Sequence, residues 1–261
     1  MSSYKNLLTA QAGGVLTVTI NRPDKLNALS IETVGDLTAA FGAARDDASV
    51  RAIVLTGAGE KAFVAGADIS EFGGLTPVTA KEFSIRGNAL ISLIENLGKP
   101  VIACINGYAL GGGCELALGC TLRVAGDKAV LGQPEIALGI MPGFGGSQRL
   151  VRICGKARAM ELCLLGDRVP AQRAFELGIV NFVWKQDELR AQTAALAERL
   201  ANSAPIAVKY ILEAVNRGAE CSLEESLAYE SHLFALCFAT QDMREGTKAF
   251  LEKRKPQFKG A

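Results

Sequence analysis

Two glutamates stand in surroundings that are otherwise apolar or typical of turns. Glu115 follows three consecutive glycines in NGYALGGGCELALGC (106–120), and Glu135 follows a proline in GQPEI (132–136). A glutamate is seldom buried unless hydrogen-bond partners compensate for its lost hydration. Glu115 is therefore a candidate for proton transfer to or from a bound molecule, whereas Glu135 by itself fits a solvated loop equally well.

The glycines before Glu115 suit a loop in which the backbone approaches a bound molecule. Neither G-x-G-x-x-G nor G-x-x-x-x-G-K-[ST] is present, which disfavours a nucleotide site. A helix that begins at these glycines would leave N–H groups free to hold negative charge on an oxygen. The same glycines also permit a helix to pack closely on a sheet, so this stretch leaves both interpretations open.

A second turn of small residues, AGAD (65–68), follows the predicted strand 51–57. It offers another backbone N–H, and an oxyanion hole needs two donors that converge on one oxygen. The two turns together favour stabilisation of an oxyanion beside a carboxylate.

Composition restricts the remaining possibilities. The 261 residues are 49% apolar and 21% charged, which suffices for one large core with or without an appendage. Because 28 basic and 27 acidic side chains give a net charge of +1, a broad basic field for nucleic acids or anionic membranes is not expected. The single histidine, His232, argues against most hydrolase triads and histidine-rich metal sites, so we expect no metal and a packing or surface role for this residue.

The cysteines and the first residues bear on localisation. Seven cysteines without a C-x-x-C pair are typical of reduced thiols. MSSYKNLLTA lacks the basic stretch and apolar core of a targeting signal, and the longest apolar stretch is interrupted by glycines and Glu115. We expect a cytoplasmic protein without a membrane partner.

Strand and helix patterns alternate over the first part of the chain, which predicts the α/β class. The predicted strands are 15–20, 51–57, 100–107, 121–126 and 129–136, and the predicted helices are one capped by Ser30, then 79–97, 146–155 and 155–166. From about residue 187 only helices are predicted, at 187–202, 205–217, after the capping box Ser222–Glu225, and at 240–254. We divide the chain into an α/β core (1–200) and a helical region (201–261) that packs on this core or on another subunit.

The order of five motifs is specific. The motifs are NRPDKLNALS, AGADISEF, GGGCEL, GQPEIALGIMPGFGGSQRL and REGTKAFLEKRKPQF. From residue 20 onward the sequence resembles the crotonase, or enoyl-CoA hydratase, superfamily, and within it most closely the short-chain enoyl-CoA hydratases. The resemblance implies a core spiral of ββα turns and a helical carboxyl-terminal region through which subunits form trimers, with hexamers as dimers of trimers.

The resemblance also implies a mechanism. In that family two backbone N–H groups hold the thioester carbonyl, and the matching residues are Ala67 and Gly112. Its two catalytic glutamates match Glu115 and Glu135, which would hold the water that attacks Cβ of a trans-2-enoyl-CoA, while Glu135 supplies the proton to Cα. One carboxyl group would then be protonated and the other ionised. Coenzyme A is part of the substrate, and no separate cofactor is implied.

Further positions match the family's coenzyme A contacts, some of them made from a neighbouring subunit. The positions on the first segment are Ala65, Ala67, Asp68, Ile69 and Ser70, together with Gly112, and those on the tail are Phe234, Phe250 and Lys253. Many relatives have lysine where this chain has Ser70, so the phosphate contact made by that lysine is not expected here. The basic EKRK (252–255) fits a ligand contact and a solvated helix end equally well.

Other members of the superfamily give the alternatives. Isomerases generally keep only the glutamate that matches Glu135, and thioester hydrolases, dehalogenases and decarboxylases place other groups in the pocket. Some members bind RNA through a lysine-rich helix, whereas 187–202 carries only Arg190 and Arg199 as basic residues. We therefore expect no nucleic-acid partner. Segment 73–88 is expected to border the acyl pocket.

Overall fold

The structure is a computed structural model that describes residues 4–261. The first three residues, part of the stretch from which no targeting signal is expected, lie outside the described range. Short apolar segments form β1 (Leu7–Ala12), β2 (Val15–Ile20), β3 (Ala52–Gly57), β4 (Ala62–Val64), β5 (Val101–Ile105), β6 (Tyr108–Leu110), β7 (Leu122–Gly126), β8 (Val130–Gly132), β9 (Val169–Pro170) and β10 (Phe182–Trp184). The helices are α1 (Ile31–Asp46), α2 (Pro77–Glu95), α3 (Gly112–Leu118), α4 (Gly146–Leu165), α5 (Ala171–Glu176), α6 (Leu189–Ala201), α7 (Pro205–Gly218), α8 (Leu223–Cys237) and α9 (Gln241–Leu251).

From β3 to β8 the strands alternate between two sheets as the chain proceeds. One sheet has the order β1-β2-β3-β5-β7-β10, and the other has the order β4-β6-β8-β9. The same unit occurs three times along the chain: a strand of the first sheet, a strand of the second sheet and a helix. These units are β3-β4-α2, β5-β6-α3 and β7-β8-α4, and corresponding strands of successive units pair in parallel. This arrangement confirms both the α/β class and the spiral of ββα turns.

The length of one spiral turn explains how distant residues meet. Ile102 on β5 pairs with Leu122 on β7, and Tyr108 on β6 pairs with Val130 on β8. Paired strands lie about 4.8 Å apart, so residues about one turn apart in sequence become neighbours in space. Glu115 and Glu135 are separated by twenty positions in the sequence, which corresponds to one such turn.

Local signals placed most elements correctly, with one correction. Ser30 caps α1 by accepting the Thr33 N–H at 3.1 Å, as expected. The predicted strand 129–136 is wrong beyond Gly132, because Pro134 has no N–H to extend the ladder and begins a 3₁₀ helix, Pro134–Leu138. Glu135 therefore lies on this 3₁₀ helix. The predicted break between two helices at Gly155 is present, since Gly155 adopts φ 81° within α4.

Four helices, α6 to α9, follow the last strand among the described residues. Leu189 and Ala197 of α6 share a buried apolar cluster with Ile102 and Val124 of the first sheet. Among residues 4–261 no strand follows β10, and α8 begins with the expected capping box, in which the Glu225 N–H donates to Ser222 Oγ at 3.3 Å. The division into 1–200 and 201–261 falls at the end of α6 and stays a prediction. No helix within residues 4–261 is long and apolar enough to cross a membrane.

A glycine within α2 makes room for an aromatic ring from the next part of the spiral. A Cβ added at Gly87 would lie 2.2 Å from Cδ1 of Phe144. The Phe144 ring also packs against Phe83, with ring centroids 4.9 Å apart. Gly87 thus permits close contact between α2 and the segment that precedes α4.

This contact predicts an unusual response to alanine. In an exposed helix, Gly→Ala normally raises the free energy of unfolding by about 0.5–1 kcal/mol. Gly87→Ala should instead lower it by about 1–3 kcal/mol, because the Phe144 ring must move. Urea unfolding of both variants would measure this, with Gly35→Ala as the control because Gly35 is exposed on α1 and its added Cβ would meet no atom within 4 Å. Equal stabilisation by the two substitutions would contradict the packing role of Gly87.

Candidate active site

Glu115 is a buried carboxyl group held by two backbone donors. It lies on α3 with 2% of its surface exposed. Its Oε1 accepts the N–H of Phe144 at 2.8 Å and the N–H of Gly146 at 2.7 Å. The pKa of Glu115 is raised to about 7, chiefly by burial and also by the charge of Glu135, while the two N–H donors act in the opposite direction.

Glu135 is the second buried carboxyl group, with 9% exposed. Burial raises the pKa of Glu135 above its ordinary value. With its amide nitrogen turned toward this carboxylate, buried Gln133 donates to the two oxygens at 3.0 and 3.1 Å. Gly111, at φ 49°, faces the same group, since an added Cβ would lie 2.9 Å from Glu135 Oε1. No role was predicted for Gln133, although its place in GQPEI, two residues before Glu135, was the available signal.

Two backbone N–H groups lie side by side near these glutamates. Gly112 is the first residue of α3, so its N–H has no acceptor within the helix. A Cβ added at Gly112 would lie 3.6 Å from the backbone nitrogen of Ala67. Neither N–H serves as a donor in the hydrogen bonds formed among residues 4–261. The structure thus brings together the two donors predicted for an oxyanion hole.

The loop that carries Ala67 is fixed by hydrogen bonds to the loop before α1. The Leu29 N–H donates to Gly66 O and the Asp68 N–H donates to Leu29 O, both at 2.8 Å. Asp68 also pairs with Arg22 at 2.8 Å. The Ser70 hydroxyl, at 2.6 Å, and Arg22 hold the pKa of Asp68 below its usual range. In the structure Asp68 and Ser70 therefore stabilise the loop beside the cavity.

The two glutamates and the two residues with free N–H groups face one apolar cavity of about 700 Å³. Six of the predicted site residues line it, namely Ala65, Ala67, Ile69, Gly112, Glu115 and Glu135. Segment 73–88 contributes Leu75, Ala80, Phe83 and Ser84, as expected, and Phe72, Met141 and Phe144 add further apolar surface. An apolar pocket with a few convergent polar groups is the usual form of a small-molecule site.

The predicted residues of the tail lie elsewhere. Phe234 on α8 is 65% exposed and Phe250 on α9 is 82% exposed. Neither these residues nor Lys253, which follows α9, line the cavity of their own chain. Their proposed contact with a ligand therefore requires a neighbouring subunit.

His232 and the cysteines were not expected to take part in catalysis or metal binding. His232 is exposed, and its Nδ1 lies 2.6 Å from Ala228 O on its own helix, consistent with the predicted surface role. All seven cysteines carry free thiols, and Cys104, Cys114 and Cys120 are buried. Within residues 4–261 no three His, Cys, Asp or Glu side chains are grouped as a potential metal site.

Comparison with protein families decides where this site belongs. The model of the family described as enoyl-CoA hydratase/isomerase matches residues 10–261. The chain belongs to the enoyl-CoA hydratase/isomerase family. Because this family includes both hydratases and isomerases, the presence of Glu115 beside Glu135 in one cavity becomes the informative feature.

Individual family members agree with this assignment. The chain is 45% identical to a short-chain-enoyl-CoA hydratase of Clostridium acetobutylicum, over 96% of each chain, and 43% identical to a crotonyl-CoA hydratase of Syntrophomonas wolfei, over 98% of each. The crystal structure of an enoyl-CoA hydratase from Bacillus anthracis matches with a TM-score of 0.96 and 39% identity, covering 98% of this chain and 100% of that one. A structure from Geobacillus kaustophilus matches with a TM-score of 0.94 and 44% identity over the whole of both chains.

The geometry around Gly112 predicts the effect of removing one N–H. Gly112→Pro should lower kcat for thioester turnover by roughly 10²–10³-fold, since it deletes one donor of the oxyanion hole. Proline is tolerated at the first position of a helix, which favours a folded variant. Steady-state kinetics would measure the loss.

Gly112→Ala is the matched variant for this experiment. It keeps the N–H, and its Cβ would meet no atom of the protein closer than 3.6 Å. Circular dichroism and sedimentation should show both variants folded and assembled like the parent. Parent-like turnover in a folded Gly112→Pro variant would refute the role of this N–H.

Proposed function

We propose that this protein is an enoyl-CoA hydratase, which adds water across the 2,3 double bond of a trans-2-enoyl-CoA to give a 3-hydroxyacyl-CoA. The observation that carries the proposal is the burial of Glu115 and Glu135 in one apolar cavity, next to the adjacent N–H groups of Ala67 and Gly112. The two hydratases to which the chain is 45% and 43% identical support it.

In the proposed mechanism the Ala67 and Gly112 N–H groups donate to the thioester oxygen. Negative charge develops there as water attacks Cβ, and fixed dipoles in an apolar site stabilise it strongly. Ionised Glu115 takes the proton that the attacking water loses, and protonated Glu135 gives a proton to Cα. The π bond between Cα and Cβ and one O–H bond of the water break, while a C–O bond forms at Cβ and a C–H bond forms at Cα. The proton that Glu115 gains replaces the one that Glu135 loses before the next turnover, so the elements of one water molecule are added.

The two carboxyl groups need opposite protonation states in this mechanism, and each accepts hydrogen bonds inside the cavity. Burial favours the neutral form of both groups. Glu115 receives two backbone N–H donors on one oxygen, and such hydrogen bonds favour the ionised form. The reaction needs no cofactor besides the coenzyme A of its substrate, because these groups supply both proton transfers.

The proposed coenzyme A contacts are those of segment 65–70, with Gly112, and of a neighbouring subunit's Phe234, Phe250 and Lys253. Ile69, which is 56% exposed at the cavity, provides an apolar surface at its mouth. Asp68 and Ser70 would act mainly through the shape of this segment, because their side chains are bonded to Arg22 and to each other.

We further propose that the protein assembles as a trimer or a hexamer through its last three helices. Large apolar side chains are exposed on them, among them Ile211, Val215, Leu227, Phe234 and Phe250. Sedimentation should give three or six times the chain mass of 27.5 kDa. A monomer would contradict the contacts proposed from a neighbouring subunit.

A cytoplasmic location is also proposed. Seven free thiols, three of them buried, suit a compartment that keeps cysteine reduced. Fractionation of the source cells would test this, and recovery with secreted proteins would contradict it.

The two glutamates distinguish a hydratase from an isomerase. Glu135→Gln should suppress both the hydration of crotonyl-CoA and the conversion of a trans-3-enoyl-CoA to its 2-enoyl isomer, because both reactions move a proton at Cα. Glu115→Gln should reduce hydration by roughly 10²–10⁴-fold and isomerisation far less, since isomerisation uses no water. Chromatography of the thioesters would follow both reactions.

The parent protein is assayed first with trans-2-enoyl-CoA substrates of increasing chain length. Loss of the absorbance of the conjugated thioester reports hydration, and activity on none of these substrates would contradict the hydratase proposal. Hydration at the parent rate by Glu115→Gln would make Glu115 a structural carboxyl group and favour an isomerase.

A further inference from the structure

One face of α2 is hydrogen-bonded to the segment 143–146, which supplies the two N–H donors to Glu115. Ser84 Oγ and Asn88 Nδ2 donate to Gly143 O, at 2.5 and 3.0 Å. Two turns further along α2, Glu95 accepts hydrogen bonds from Arg149 of α4. Side chains at such spacings lie on one side of a helix. The same face of α2 therefore contacts both Gly143 and the first turn of α4.

Arg149 connects three parts of this arrangement. Its side chain is 12% exposed. Its Nε and Nη2 donate to Glu95 Oε2 at 3.3 and 2.9 Å, and its Nη1 donates to the carbonyl oxygen of Phe144 at 3.2 Å. The guanidinium group thereby ties α2 to the residue whose own N–H is bonded to Glu115.

The planar guanidinium is important for this role. It presents several donors in a rigid fork, whereas a lysine ammonium offers a compact charge on a flexible stem. The guanidinium group can therefore donate to Glu95 and to the Phe144 carbonyl at once in a fixed geometry. Loss of the fork would let the turn 144–146 move, and with it the two N–H groups that orient Glu115.

The charge of Arg149 acts on the same carboxyl group. Among the described residues, the titratable groups that face Glu115 are Cys114 on α3, Glu135 on the 3₁₀ helix, and Arg149 and Cys163 on α4. Arg149 is the cation of this set. Its charge lowers the pKa of Glu115, against the larger effect of burial.

We propose that Arg149 is a positioning residue for hydration, which fixes the turn 144–146 so that Glu115 faces the attacking water. This inference rests on the function proposed above for Glu115. Arg149 itself does not line the cavity, so its effect reaches the substrate through the Phe144 and Gly146 N–H groups.

The test compares two arginines of α4. Arg149→Gln should lower kcat for crotonyl-CoA hydration by about 10–100-fold, the scale of a small misplacement of a catalytic group, with little change in KM. Arg152→Gln should leave kcat unchanged, since Arg152 is half-exposed and pairs with Glu220 at the surface. Both variants are checked for fold by circular dichroism and for assembly by sedimentation.

The pH profile of kcat/KM is the deciding measurement. Without the cation the ionised form of Glu115 is less stable, so the acid limb of Arg149→Gln should lie at higher pH than that of the parent. Arg149→Lys keeps the charge but lacks the fork, so its acid limb should lie close to the parent's while kcat stays below the parent value. A purely structural role would lower the amount of active protein without moving the limb.

Each outcome can be assigned. An acid limb of Arg149→Gln at the parent position would overturn the inference, and so would a parent-like kcat in this variant. If Arg149→Gln does not fold, Arg149→Lys carries the test, and a parent-like kcat in that variant would overturn the inference. Absence of hydration by the parent protein would contradict the proposed function instead, and is therefore distinguishable.

Discussion

The burial of a carboxyl group is the constraint on which the site depends. Glu115 is 2% exposed, and such a group is costly to ionise unless donors replace the water it has lost. The donors come from Phe144, in the irregular segment that precedes α4, and from Gly146, the first residue of α4. That segment must therefore be held from outside, and α2 does so through Ser84 and Asn88.

Glycines provide the space that this arrangement needs. Gly87 accommodates the Phe144 ring on α2, and a Cβ at Gly146 would come within 3.0 Å of Glu115 Oε1. Gly111 leaves the corresponding space beside Glu135. The carboxyl groups thus approach backbone closely enough to be bonded and buried at once, while the rest of the cavity remains apolar.

Features set by local sequence were predictable, and those set by distant contacts were not. The Ser30 cap, the Ser222–Glu225 capping box and the break at Gly155 depend on a few neighbouring residues. β4 and β6, with three residues each, are too short to show an alternating pattern, and Pro134 ended a strand that apolar content had favoured. The Arg149–Glu95 pair joins residues 54 apart, for which no local pattern exists. The joint position of Ala67, Gly112, Glu115 and Glu135 followed from family resemblance, whereas the contacts of Phe234, Phe250 and Lys253 stay predictions.

The order of the spiral along the chain has a consequence for synthesis on the ribosome. Each parallel strand pairs with a strand of the preceding turn, so the sheets can grow in the direction in which the chain emerges. The donors to Glu115, however, lie 29 and 31 residues after it. A nascent chain that ends before Phe144 therefore contains α3 without the groups that make its carboxylate tolerable in an apolar interior. We therefore expect Glu115 and the residues around it to reach their final packing only after the first turn of α4 has been synthesised. The strands on which this region rests can pair earlier.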